Sequence, residues 1–125
     1  MIKLKVRSMK SIKDQEVHYY PAVVHTGTIT RNQLCKLISE KTTVTRADVL
    51  CAIVALEEYI AEKLANSGRV KLGDLGTFST SIRSTEGVDE KEKVSANHIK
   101  TVRVRFRPSA EMKQDLQDEA QFQLV

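Results

Sequence analysis

The sequence predicts an α+β fold, on three observations. Two consecutive helical stretches run from residue 30 to about residue 66. Strands of period-2 alternation follow them, over 70–72, 77–83 and 99–107. A glycine-bracketed turn, Gly73-Asp74-Leu75-Gly76, joins the helical half to the extended half. With 125 residues and 41% hydrophobic content, one soluble domain is expected. Trp is absent and aromatics make up 5%, so the core has to be aliphatic and small.

Ile2, Leu4 and Val6 alternate with Lys3, Lys5 and Arg7, which predicts a strand over Ile2 to Val6. Its charged face reads best as protection of an exposed sheet edge. Ser8 to Glu16 reads as a connection. Val17 to Val24 is rich in β-formers but holds Pro21, which cannot donate to a ladder, so an edge strand is expected there. Residues 1–29 are thus assigned to an N-terminal β extension.

Thr30 and Gln33 have capping-box spacing ahead of Leu34, Leu37 and Ile38, so a helix begins at 30 and ends near Lys41-Thr42. Thr45 caps a second helix, with Asp48 three residues on. Val49, Leu50, Ile53, Val54, Leu56, Tyr59, Ile60 and Leu64 cover more than one stripe of it. A second subunit is the economical cover for so wide an apolar face, and Gly68 is the expected C-cap.

Val70 and Leu72 oppose Arg69 and Lys71 in a short strand. After the turn, Phe78, Thr80 and Ile82 share one face, and Ser79, Ser81 and Arg83 the other. Ser84 to Asn97 lacks apolar periodicity and reads as a loop or a protruding hairpin. In Ile99 to Arg107, Val102, Val104 and Phe106 point one way while Arg103, Arg105 and Arg107 point the other. Pro108 ends this strand and Ser109 caps a short helix bearing Met112 and Leu116. Ala120 to Val125 alternates again as a terminal strand, and 119–125 is assigned to a C-terminal tail.

Charge is distributed unevenly. The net charge is +4; from Glu111 onward four acids face one base, which leaves +7 on the first 110 residues. A basic body attracts polyanions. The arginine row is the sharpest functional signal, since guanidiniums make forked contacts to phosphate and a same-sign row is costly without an anion. The competing reading is a solvated face balanced by acids such as Glu111 and Asp115.

Other chemistries find little support. Gly73-Asp74-Leu75-Gly76 lies between strands, not between helices as a KH loop does, and no Lys-Ser/Thr follows it. His18, His25 and His98 have no ligand spacing with Cys35 or Cys51, and both cysteines read as buried small hydrophobes. No catalytic constellation is evident, so neither an enzyme nor a cofactor, metal or small-molecule substrate is expected. No run reaches the ~20 apolar residues of a membrane span, and the N-terminus has no signal-peptide core. A reducing cytoplasm is the expected compartment.

Leu34 to Ile38, Val49 to Leu64, Val70-Lys71-Leu72-Gly73, Gly76-Thr77-Phe78 and Arg105-Phe106-Arg107-Pro108-Ser109 stand in an order that resembles the bacterial histone-like HU/IHF family. The likeness covers residues 30–118, the HU-like DNA-binding domain. Tyr19-Tyr20-Pro21 and Val102 to Pro108 are similar to an extended HU-related branch found in Bacteroidetes. The resemblance implies an intertwined homodimer with two helices at its base, an antiparallel β-sheet saddle, arms that reach round double-stranded DNA, and residence on the nucleoid. It implies a dimer core of Val49, Ile53, Leu56, Ile60, Phe78 and Phe106. DNA contact falls to Arg83, Lys91, Lys93, Lys100, Arg103, Arg105 and Arg107. The usual arm tip carries a proline that wedges between base pairs. Here Ser84 to Asn97 has no proline and no arginine, and Glu86 to Lys93 holds four acids against two bases. Such an arm repels phosphates, so milder bending is expected. The alternative is a protein-interaction or structural module on the same dimer scaffold.

Overall fold

The computed structural model describes all 125 residues as two three-stranded sheets and three α-helices. Ile2–Lys10 (β1) and Val17–Val24 (β2) form an antiparallel hairpin, in register from Lys3–Val24 to Lys10–Val17. The first strand runs four residues past its expected end, because β2 supplies ladder partners as far as Lys10. At the hairpin turn the Asp14 carboxylate accepts the N–H of Glu16 at 3.0 Å. That bond, foremost, holds the Asp14 carboxyl below the usual range.

Residues Phe122–Leu124 (β6) lie parallel to β1, pairing Ile2 with Phe122 and Leu4 with Leu124. The order is therefore β2-β1-β6, with β2 at an edge as Pro21 demands and β1 in the middle. This corrects the expectation of an open edge for Lys3, since over Ile2 to Leu4 that edge is occupied; beside Lys5 and Arg7 it is open. The two chain termini share one sheet.

The helices obey their local signals. Arg31–Lys41 (α1) starts on the expected capping box, with the Thr30 N–H donating to Gln33 Oε1 at 2.8 Å and the Gln33 N–H donating to Thr30 Oγ1 at 3.3 Å. Arg46–Ser67 (α2) starts with the Asp48 N–H donating to Thr45 Oγ1 at 3.2 Å; the Asp48 carboxylate does not complete a box. Gly68 ends α2 in the left-handed region at φ 76°, a conformation glycine adopts without a Cβ clash. An Arg31–Glu57 ion pair at 2.8 Å joins the start of α1 to the middle of α2.

Arg69–Leu72 (β3), Gly76–Ser84 (β4) and Ile99–Pro108 (β5) form the second sheet, antiparallel and in chain order. Thr80 anchors it to the helix: its hydroxyl donates to the Leu64 carbonyl and its N–H to the Gly68 carbonyl, both at 2.8 Å. Ala110–Glu119 (α3) is fixed to the β3–β4 turn by Ser109, whose hydroxyl donates to the Asp74 carbonyl and whose N–H donates to Leu75 at 3.1 Å. Residues 85–98 contain only two single-turn 3-10 segments, Lys91–Lys93 and Ala96–His98, and no hairpin.

Gly76 is the tightest position of the sheet. A Cβ there would stand 2.5 Å from the Arg107 carbonyl oxygen and 2.7 Å from the Phe106 ring, at φ 156°. Gly76→Ala is expected to cost about 3 kcal/mol, which denaturant unfolding would measure as a lower midpoint.

The lone chain buries little. Cys35, Val49 and Leu64 are its buried apolar residues. Cys51, expected inside, is exposed, because α1 covers only part of the circumference of α2. β3 and β4 lie against α2, but β5 is outside that contact. Val102 and Val104, on the face opposite the arginines, are 67% and 64% exposed. Phe106 finds a partner in Phe78, with ring centroids 4.8 Å apart.

Candidate nucleic-acid interface

The β3-β4-β5 register decides which side chains share a face. Arg69 pairs with Ser79, which pairs with Arg105; Lys71 pairs with Thr77, which pairs with Arg107. Further along, Ser81 opposes Arg103 and Arg83 opposes Thr101. Paired residues project to the same side, so six cations stand on one face. Small hydroxyl residues, Thr77, Ser79 and Ser81, run down its centre.

Short side chains between long ones make a channel. Arg69 and Lys71 form one wall, Arg105 and Arg107 the other, and the concavity between them measures about 560 Å³. It continues past Gly76 and Ser109 to Lys113 at the start of α3. The Ser81 hydroxyl oxygen is buried and has no hydrogen-bond partner.

None of the six cations has a carboxylate within 4.0 Å; the ion pairs lie elsewhere, at His18–Asp14, Arg31–Glu57 and Lys93–Glu90. Neither Glu111 nor Asp115 forms an ion pair with the row, although Asp74 and Glu111 line the hollow shared by Lys71 and Arg107. Same-face neighbours along a strand sit about 6.8 Å apart, where like charges repel by roughly half a kcal/mol per pair even in water. A bound polyanion removes that repulsion.

The expected contact residues separate into two groups. Arg83, Arg103, Arg105 and Arg107 come together on the channel face. Lys91 and Lys93 lie in the acidic segment beyond the sheet, where Lys93 pairs with Glu90 at 3.6 Å. Lys100 is the unpaired residue of a bulge, because Arg83 pairs with Thr101 and Ser84 with Ile99. Arg69 was not among the expected contacts. Its signal was present in the alternation with Val70, but only the register sets it across from Arg105.

Of the expected dimer-core residues, Val49 is buried and Ile53, Ile60 and Phe78 are half-buried, while Leu56 and Phe106 are exposed. A family model described as an HU domain fused to wHTH, Ig or glycine-rich motif matches residues 1–124. The chain belongs to this HU-HIG family. The match takes in both the helical base with its basic sheet and the terminal sheet made by β1, β2 and β6.

Similar proteins carry consistent descriptions. The DNA-binding protein HRL18 of Rhizobium leguminosarum and that of Rhizobium radiobacter are each 36% identical over 53 residues, 42% of this chain and 58% of theirs. A solved structure of a candidate bacterial DNA-binding protein from Bacteroides vulgatus shares the fold over 99% of this chain, with a TM-score of 0.70 at 18% identity. This HU-HIG chain spans 48% of that protein, so it corresponds to part of each relative.

Proposed function

We propose that the chain is an architectural DNA-binding protein that grips the duplex backbone as a homodimer. The six unpaired cations around a channel of hydroxyl side chains carry this reading. The DNA-binding relatives in the family comparisons support it. Guanidiniums at Arg83, Arg103, Arg105 and Arg107 present forked donors to phosphate oxygens, with Arg69 and Lys71 along the opposite wall. Thr77 and Ser79 add neutral hydroxyl donors between them. No step of this is catalytic.

Contact of this kind reads the backbone and carries little base information. Residues 85–98 add no proline wedge, and their acids oppose close approach to phosphate, so the duplex is bent gently instead of being kinked by intercalation. A protein of this kind works on the nucleoid.

Counterion release supplies the test. If about half of the twelve cations of a dimer engage phosphates, log Kobs against log salt has a slope near −5. A fluorescence-anisotropy titration of duplex DNA across a salt series is expected to give that steep slope for unrelated sequences alike. Binding that ignores salt, or no binding at low salt, would sink the proposal.

A second reading is a protein-interaction module on the same scaffold, favoured by the acidic 85–98 segment. Under it the salt series shows no duplex binding at all.

A further inference from the structure

We propose that the β2-β1-β6 sheet carries a second DNA-backbone contact, made by Lys3, Lys5 and Arg7 with Tyr20 beside them. The inference rests on the DNA-binding reading above and extends it to a separate surface. Its starting point is the place of β1 in the sheet. Cations on an edge strand are explained by the need to keep other strands away. Lys3 is not so explained, because β2 and β6 flank β1 on both sides there; beside Lys5 and Arg7 only β2 is present, since β6 pairs with Ile2 to Leu4 alone.

The two faces of this sheet differ sharply. Ile2 and Leu4 are half-buried and stand in register with Phe122 and Leu124 on one side and, for Leu4, with Val23 on the other. That apolar face takes up the corner against α3, where Ile2, Leu116 and Phe122 line a shared hollow. The opposite face presents Lys3, Lys5 and Arg7, all exposed, beside Ala22 and Val24, which are half-buried. Their alternate spacing sets them over about 14 Å along one line.

No carboxylate lies within 4.0 Å of any of the three. The acids of this unit, Asp14 and Glu16, sit in the hairpin turn at the far end, where Asp14 meets His18 at 3.4 Å. Residues 1–29 hold five bases, Lys3, Lys5, Arg7, Lys10 and Lys13, against those two acids. Tyr20 is directly opposite Arg7 and adds a hydroxyl that donates to a phosphate oxygen. A row of unpaired cations with a phenol beside it matches a phosphate backbone in charge and in donor type.

The experiment compares the full chain with a Lys3→Gln, Lys5→Gln, Arg7→Gln variant in duplex titrations over a salt series. The arginines of the other sheet are left intact. Expected is a slope shallower by about 3 for each chain that engages, with binding retained through the channel. If the full chain binds duplex and the variant reproduces its slope and affinity, this inference falls while the DNA-binding reading stands. If the full chain binds no duplex, both fall.

A second measurement needs no substitution and decides the matter if the variant fails to fold. Acetylation of Lys3 and Lys5 in the full chain, followed by mass spectrometry, should slow several-fold when saturating duplex is added. Unchanged labelling of both lysines overturns the proposal.

Discussion

Replacing Arg103 and Arg105 together (Arg103→Glu with Arg105→Glu) is expected to lower duplex affinity about 100-fold or more at moderate salt, with the fold unchanged. Both side chains are exposed on β5, so neither is part of the packed interior. Arg105 forms a wall of the channel opposite Arg69, across Ser79; Arg103 stands over Ser81. The double reversal removes two cations per chain and puts two anions in their place, where the phosphates would run. Repulsion along the row falls at the same time, so stability should hold or rise slightly. Anisotropy reads the affinity, and circular dichroism with thermal melting reads the fold. Undiminished binding would take the channel out of DNA contact; a lost fold would mean that the row has a structural role which its exposure does not suggest.

Leu56→Asp is expected to cost about 4 kcal/mol and to lower Tm by roughly 15 °C, although Leu56 is 41% exposed in the single chain. If the chain worked alone, a charge on a partly exposed helical face would cost little. The reason to expect otherwise is how little the lone chain buries: Cys35, Val49 and Leu64 are a thin core for 125 residues. Ordering a backbone of that length costs on the order of 100–200 kcal/mol, and so small an interior is poorly placed to offset it. A second copy laid against α2 and the underside of β5 would cover Leu56, Tyr59, Val102 and Val104 together. An aspartate at position 56 would then be desolvated without a partner. Analytical ultracentrifugation and melting at several concentrations would show loss of dimer and a concentration-dependent Tm in the wild type. A variant that melts and sediments like the wild type would identify the single chain as the folded unit.

What could be read from the sequence was what depends on near neighbours. The Thr30–Gln33 box, the Gly68 cap and the Ser109 cap each involve residues within four positions of one another, and all three formed. The arginine row was legible for the same reason, since alternation alone sets Arg103, Arg105 and Arg107 on one side. Arg69 was not, because its membership depends on a register between strands that local pattern does not specify. Lys100 was expected as a contact by its charge, but alternation already sets it on the side of Val102, and the bulge beside Ser84 leaves it unpaired. Cys51 was misplaced because the apolar run around it says how much surface needs cover and not which neighbour supplies it. The middle position of β1 was hidden most completely, because its second neighbour lies at the other end of the sequence.

That pairing has a consequence in time. Of the six strands, β1 leaves the ribosome first and β6 last, and Ile2 meets Phe122 across 120 intervening steps of the chain. The hairpin with β2 can close early, but the flank of β1 that β6 covers stays open until the rest has been made and folded. The sheet is therefore finished only once residues 122–124 have been made. The bond from the Val125 N–H to the Leu4 carbonyl, 2.8 Å in the folded state, is expected to be among the last to form. Slow protection of the Val125 amide during refolding would date the moment at which β6 joins β1.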